Sequence, residues 1–253
     1  MELITIVMPS YNCESTIVES IESVINQTYR NWELLVYDDC STDKTLEILE
    51  TYALSDSRIH VTANKTNQGP GTIRNIGISK SRGTYIAFLD SDDTWDPKKL
   101  ITQYKFMTEG QYKFSHHAYQ YFTKGTQGYN YSKKIFPSKI INYFNYLTKR
   151  GYGYCNTFMF HKSLKNLIVF DEKTQVAEDF LAFLAYFQEG SSFGINQILG
   201  YVRKSNISRS SSKIKVFLYM IKIYYIKVEG NIFNKIIYFI LYLLNSIRLR
   251  LKA

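Results

Sequence analysis

The sequence predicts an α/β fold: a mixed, mainly parallel sheet with helices on both faces, followed by amphipathic helices at the C-terminal end. Three observations predict it. Over residues 1–90, short apolar runs alternate with stretches of helical apolar spacing in the order βαβαβαβ, and strands feeding helices across short turns build parallel sheets. The apolar runs end in polar, acid-rich turns, and in open parallel sheets ligands bind outside the carboxyl ends of the strands. Residues 213–253 are aromatic, aliphatic and basic.

Residues 3–9 read as a buried strand stopped by Pro9, with a turn at Ser10-Tyr11-Asn12. Ile17, Ile21, Val24 and Ile25 place a helix within 14–28. Residues 32–37 are a second strand ending in Asp38-Asp39-Cys40-Ser41-Thr42-Asp43, where Ser41 or Asp43 would cap the helix carrying Leu46, Ile48 and Leu49. Residues 59–61 form a third strand. Asn67-Gln68-Gly69-Pro70-Gly71 is a loop, and 72–81 opens a helix with Arg74 and Asn75. Tyr85-Ile86-Ala87-Phe88-Leu89 then runs into Asp90-Ser91-Asp92-Asp93-Thr94-Trp95-Asp96-Pro97. The turns at 10–12, 38–39 and 90–93 each follow a strand, so they gather on one edge of the sheet.

The acids at 90–93 have several readings. Asp96 before Pro97 suits a helix start. A calcium EF-hand loop counted from Asp90 would need Gly at its sixth position and Glu at its twelfth, where Trp95 and Ile101 stand. Asp90, Asp92 and Thr94 fit the Asp-x-Asp-x-Thr pattern of haloacid-dehalogenase-type phosphatases, but 89 residues precede it and later acids are sparse. Packed carboxylates repel one another. Mg²⁺ or Mn²⁺ held by Asp90 and Asp92 would neutralise them and bridge to a diphosphate. The first turn lacks Gly-x-Gly-x-x-Gly and there is no Walker loop, which argues against dinucleotide or P-loop chemistry. Asp38 and Asp39 are open to two roles: bonding a ribose or base N–H, or capping the next helix.

Length and composition set the bounds. The chain of 253 residues suits one large domain with additions, and 45% hydrophobic residues supply a core. Met1-Glu2-Leu3-Ile4 opens directly on a strand-like run without a basic leader, so no signal peptide is expected. Cys13, Cys40 and Cys155 are odd in number and lack zinc spacing, as reduced cytosolic thiols do. The net charge is +9 but uneven: 9 Lys+Arg against 15 Asp+Glu in residues 1–100, and 22 against 7 in 101–253. That split argues against a uniform nucleic-acid surface and for an anionic partner at the basic end.

Together, Ile6-Val7-Met8-Pro9-Ser10-Tyr11-Asn12, Val36-Tyr37-Asp38-Asp39-Cys40-Ser41-Thr42-Asp43, Asn67-x-Gly69-x-Gly71-x-x-Arg74-Asn75-x-Gly77 and Phe88-Leu89-Asp90-Ser91-Asp92-Asp93 resemble glycosyltransferase family 2, of the GT-A fold. The resemblance covers about the first hundred residues. It implies an inverting transfer from a nucleotide-sugar, usually a UDP-sugar. By that resemblance Pro9, Tyr11 and Asp39 contact base and ribose. Ser10, Asn12, Asp38, Asn67 and Ser91 belong to the same nucleotide-binding turns. Asp90 faces the ribose, Asp92 ligates the metal that holds the diphosphate, and Gly71, Arg74 and Asn75 lie along the nucleotide pocket.

An inverting transfer needs a base for the acceptor hydroxyl. Acids after residue 100 are few: Glu109, Asp171, Glu172, Glu178, Asp179, Glu189 and Glu229. Ala177-Glu178-Asp179-Phe180-Leu181 resembles the family's Glu-Asp pair. That assigns Asp179 as general base and Glu178 as its neighbour; the alternative is that both acids favour a helix N-terminus. Residues 112–136 alternate polar and aromatic side chains about Lys124-Gly125-Thr126-Gln127-Gly128 and predict a β-hairpin, whose aromatics either pack or meet an acceptor sugar. His116 and His117 are strand neighbours pointing opposite ways, which argues against a shared metal. Residues 155–161 read as a strand. After Arg203-Lys204, Ser205 stands where relatives often have His, which puts a histidine metal ligand there in doubt; Arg203 or Lys204 remain candidates for the diphosphate.

Ser210-Ser211-Ser212 reads as a linker. Residues 213–253 hold eight basic residues and one acid, and the apolar run 236–244 is too short to span a bilayer. Such helices lie in a membrane interface or pack on the catalytic domain. The expectation is therefore a nucleotide-sugar half (1–100), an acceptor half of the same domain (101–210) and basic helices (211–253). It is a cytoplasmic enzyme on the inner face of the membrane, with a UDP-sugar donor, a saccharide acceptor that is lipid-linked or free, Mn²⁺ or Mg²⁺, and no nucleic acid. The pathway expected is bacterial surface polysaccharide: lipopolysaccharide, O-antigen or capsule. The alternatives are the phosphatase and a non-catalytic nucleotide-sugar-binding protein.

Overall fold

Residues 3–8 are apolar at all but one position, and the segment they open becomes the middle of the sheet. In the computed structural model, which describes residues 1–126, 128–149, 153–172, 178–204 and 213–251, the order is β1 (Ile4–Ser10), α1 (Ile17–Ile25), β2 (Trp32–Asp38), α2 (Thr45–Ser55), β3 (Ile59–Ala63), α3 (Pro70–Lys80), β4 (Tyr85–Phe88), β5 (Thr94–Trp95), α4 (Lys99–Glu109), β6 (Phe114–Gly125), β7 (Gly128–Ile135), β8 (Ile140–Ile141), α5 (Tyr143–Leu147), β9 (Met159–His161), α6 (Glu178–Glu189), β10 (Ser192–Arg203), α7 (Lys213–Ile226) and α8 (Ile232–Leu251).

One sheet runs β3-β2-β1-β4-β9-β6-β10-β5, with β7 on β6 and β8 on β10. Its first four strands are parallel, as the βαβ alternation predicts. β9 then joins antiparallel to both β4 and β6, and so couples the two halves of the chain through backbone bonds. β1 is buried along its whole length and its side chains alternate. Ile4, Ile6 and Met8 pack with Ile17, Ile21 and Trp32 on one face, while Val7 packs with Phe88, Phe160 and Phe183 on the other.

Local chemistry explains where sequence reading and structure differ. The predicted strand at 155–161 begins only at Met159. Cys155–Thr157 is a 3₁₀ turn, because Thr157 returns both its N–H and its hydroxyl to the Tyr154 carbonyl. The acidic turn also contains a two-residue strand: β5 pairs with Gly200 and Tyr201 of β10. The hairpin forms as predicted between β6 and β7; Gln127 at its tip lies outside the described residues. The predicted linker at 210–212 does too. His116 and His117 diverge as expected. The first is hydrogen-bonded to Ser192 and the Ser138 carbonyl, and the second to the Ala118 carbonyl. α3 begins two residues earlier than the sequence suggests, because Gly69 adopts φ +84° and Pro70 supplies a pre-set first turn. α3 then sits directly on β1. A Cβ on Gly77 would lie 2.3 Å from Val7 Cγ1, a separation only glycine permits.

α4 carries a fully buried lysine. Lys99 Nζ stands 3.6 Å from the Trp95 ring centroid and has no hydrogen-bond partner among the described residues. Burial pushes its pKa well below the usual lysine value. The unfolded chain therefore holds this proton more tightly than the folded one. Stability rises with pH from the depressed folded pKa up to the free-lysine value near ~10.4. Replacing the amine by a thioether of similar volume removes the penalty and the loss of the cation–π contact offsets part of the gain. Lys99→Met should raise stability by about 1–2 kcal/mol at pH 7, a gain that shrinks towards pH 10 in denaturant titrations.

Candidate active site

β1, β2 and β4 are adjacent and parallel, so their carboxyl ends lie side by side. Pro9 pairs with Tyr37 and Ser10 with Asp38, and Asp39 N–H bonds to the Ser10 carbonyl. The turns at 10–12 and 38–43 then interlock. Asn12 Oδ1 accepts from Thr42 N–H at 2.8 Å, and Asn12 N–H donates to Ser41 Oγ at 2.9 Å. Both turns use left-handed backbone, at Asn12 (φ 46°) and Cys40 (φ 68°). Tyr11 is left 47% exposed at the rim.

The two acids after β2 do different jobs. Asp38 is buried and accepts from Ser41 N–H and Oγ–H. Its carboxylate holds the turn together. Asp39 accepts from Asn64 Nδ2 (3.0 Å), Gln68 N–H (2.9 Å) and Gly69 N–H (2.7 Å), and Asn67 Nδ2 donates to its carbonyl. Asp39 thus shapes the loop that starts α3. Of the two predicted caps, Asp43 accepts from Thr45 N–H, whereas Ser41 is spent on Asp38.

α3 brings Arg74 to this edge. The guanidinium, buried, donates to Asp90 at 2.6 Å and to Glu178 at 3.2 Å. One cation thus ties the end of β4 to the start of α6, two places far apart in the chain. Gly71 faces the same seam: a Cβ there would meet the Asp171 carbonyl at 3.2 Å and Glu178 at 3.5 Å. Asn75 is committed elsewhere. Its amide brackets the Phe170 backbone, donating to the carbonyl and accepting from the N–H at 2.9 Å, so it fixes the segment that precedes α6.

Asp179 is half-buried at the first turn of α6 and accepts from Phe180 N–H. Its pKa is pushed up to about 6, first by burial and then by Glu178, with Arg74 opposing. A carboxylate tuned there is a competent base at neutral pH. Of the other candidate acids, Glu172 accepts from Asn75. Ala177 of the predicted Glu-Asp segment lies outside the described residues.

Asp93, third of the acids, is buried. It accepts from Asn156 Nδ2 (2.6 Å) and Arg203 N–H (2.8 Å), and burial, followed by Asp92 and Asp90, drives its pKa well above the carboxylate range. Ser91 turns its carbonyl to Thr16. Among the described residues no three His, Cys, Asp or Glu side chains form a ready-made metal cage. Mg²⁺, however, takes one or two carboxylates and completes its shell with substrate phosphate and water. Asp90, with a quarter of its side chain exposed, and half-buried Asp92 make such a pair beside an electrostatically overloaded Asp93. The donor set fits a hard divalent ion.

Sequence reasoning missed Glu19. It binds Arg203 at 2.5 Å and Lys124 at 2.6 Å, and these partners lower its pKa although burial alone would raise it. Arg203 also donates to the Asp92 carbonyl and lies 4.6 Å from the Phe122 ring centroid, so its guanidinium braces the acidic turn. The predicted position at Ser205 lies outside the described residues.

The glycosyl transferase family 2 model matches residues 5–168, which include every one of these strand-end turns. A Haemophilus influenzae protein called an uncharacterized glycosyltransferase is 36% identical over 248 residues, 97% of each chain. The Escherichia coli UDP-Glc:alpha-D-GlcNAc-diphosphoundecaprenol beta-1,3-glucosyltransferase WfgD is 38% identical over 84% of this chain and 81% of its own. Among solved structures, S. aureus TarS 1–349 in complex with UDP-GlcNAc superposes with a TM-score of 0.71 at 24% identity, over 97% of this chain and 72% of that one; of a longer TarS chain this one spans 41%. That likeness shows the fold. The family model and the full-length relatives together make this chain a member of glycosyl transferase family 2.

Proposed function

We propose that the protein transfers a hexose or N-acetylhexosamine from a UDP-sugar, with inversion, to a hydroxyl of a saccharide acceptor carried on a membrane lipid diphosphate, in bacterial surface polysaccharide synthesis. The observation that carries the reading is the meeting, at Arg74, of the strand-end carboxylate Asp90 with the Glu178–Asp179 turn. A donor site and a base thereby share one crevice. The name of WfgD and the UDP-GlcNAc complex of TarS support the donor and acceptor classes.

In this reading Pro9, Ser10, Tyr11, Asn12, Asp38, Asp39 and Asn67 hold the uridine. Gly71 keeps the floor of the cleft open. Asp179 takes the proton of the attacking hydroxyl, and Glu178, paired with Arg74, keeps the neighbouring charge fixed. Asp90 and Asp92 would hold Mn²⁺ or Mg²⁺, which when bound offsets the charge of the leaving diphosphate. The family assignment removes the ground for the phosphatase reading. Peripheral attachment to the cytoplasmic leaflet through residues 213–253 belongs to the same proposal, supported by their eight basic residues against one acid.

Asp92→Ala tests the metal. Calorimetric titration with UDP should give Mn²⁺-dependent binding in the parent and at least tenfold weaker binding in the variant, with an unchanged melting temperature. Full metal-dependent affinity in the variant would remove Asp92 from the site.

A further inference from the structure

α8 has two unlike apolar faces. Tyr238, Phe239 and Tyr242 pack inward on the core, where Phe239 meets Tyr224 of α7 and Tyr242 meets Phe180 of α6; Asn245 Nδ2 donates to the Thr148 carbonyl. The outer face, which on a surface helix is ordinarily polar, carries Phe233, Ile236, Ile237, Ile240, Leu244 and Ile247. These are 36–67% exposed. At 3.6 residues per turn they fall within an arc of about 100° and form one stripe along a helix about 30 Å long. Phe217, Leu218, Ile221 and Tyr225 make a second exposed stripe on α7 at the same spacing. A continuous exposed apolar surface of this extent marks a binding face.

We infer that the outer faces of α7 and α8 seat in the surface of an anionic lipid leaflet, with both helices lying in the interface. Charge selects this occupant. Lys222, Lys227 and Arg248 are exposed in a tail with one acid in residues 213–253, and a second copy would set one +9 chain against another. Anionic headgroups complement this surface, and aliphatic side chains reach the acyl boundary. Among the described residues no helix is long and apolar enough to cross a membrane, so these helices are read as lying on the leaflet. The seat bears on the catalytic crevice: Tyr242 meets Phe180, the residue after Asp179, edge to face, so the helix held by lipid supports the helix that presents the base. The inference rests on the leaflet attachment proposed above and assigns it to these two helix faces; its consequence for the base rests on the lipid-linked acceptor of the same reading.

The test is sedimentation of the full chain with vesicles of phosphatidylglycerol and phosphatidylethanolamine, against phosphatidylcholine alone. Binding to the anionic vesicles should weaken as salt is raised. Ile236→Asp with Ile240→Asp and Leu244→Asp should lose at least tenfold in vesicle affinity, with unchanged melting temperature and unchanged slow UDP-sugar hydrolysis. Lys222→Glu with Arg248→Glu should lose the preference for anionic lipid. A parent that stays in solution, or a stripe variant that sediments like the parent, overturns the inference. So does a parent dimer that the stripe variant makes monomeric without any vesicle binding. Vesicle binding with no turnover of any UDP-sugar would overturn the proposed function and leave this face assigned.

Discussion

Asp179→Asn should lower turnover by roughly 10²–10⁴-fold while UDP-sugar affinity stays within about threefold of the parent, the loss expected when a positioned base is removed. The amide keeps the shape of the carboxylate and cannot take a proton. The same assignment sets the pH profile. Asp179 has its pKa raised to about 6 by burial and by Glu178. The base is protonated below that value, so kcat/KM should rise through about pH 6 and level off above it. A stability measurement separates catalysis from folding. The folded state binds this proton more tightly than the unfolded chain, so the group costs stability as pH rises from the ordinary aspartate value near ~3.9 through about 6. Asp179→Asn should lose that slope and melt no lower than the parent at pH 7.5. Isothermal titration with UDP and a pH–rate series check both arms. A fall in UDP affinity equal to the fall in turnover would move Asp179 to the donor site.

Arg74→Met should cost about 3 kcal/mol, or a fall in melting temperature of about 6–12 °C for a chain of this size. The guanidinium sits between Asp90 and Glu178, with 6% of its own side chain exposed. Removing it leaves two carboxylates facing each other beside Asp179, with nothing to balance them. Arg74→Lys should recover part of the loss, since an ammonium restores the charge but not the fork that reaches both acids. An unchanged melting curve at pH 7 would mean that the two acids do not depend on Arg74.

The parts of the molecule legible in the sequence were those set by local pattern. Three of the four parallel strands follow from the apolar runs over 3–9, 32–37 and 85–89, although β1 continues through Pro9 to Ser10, where Pro9 pairs with Tyr37, and the hairpin follows from alternation about Gly125 and Gly128. The strand-end rule collected the turns at 10–12, 38–39 and 90–93. What stayed hidden depends on partners distant in sequence. Nothing in Asp90-Ser91-Asp92-Asp93 says that the last acid turns inward to Asn156, or that Arg203 pairs with Glu19. The clamp that Asn75, beside Arg74 on the same helix, places on Phe170 is not legible either. β5 and the 3₁₀ turn at Cys155–Thr157 are too short for periodicity to register.

The missing side chain at Gly77 acts as a gauge. Because the backbone of α3 rests directly on the Val7 side chain, the height of that helix over the sheet is set by that one residue, and Arg74 stands one turn before Gly77. Engineering a new donor preference is therefore unequal work across the molecule. Tyr11, exposed at the rim, can be changed without moving the helix. Any added bulk at position 77 would lift the guanidinium from both carboxylates together, so this glycine belongs among the positions that a library holds constant.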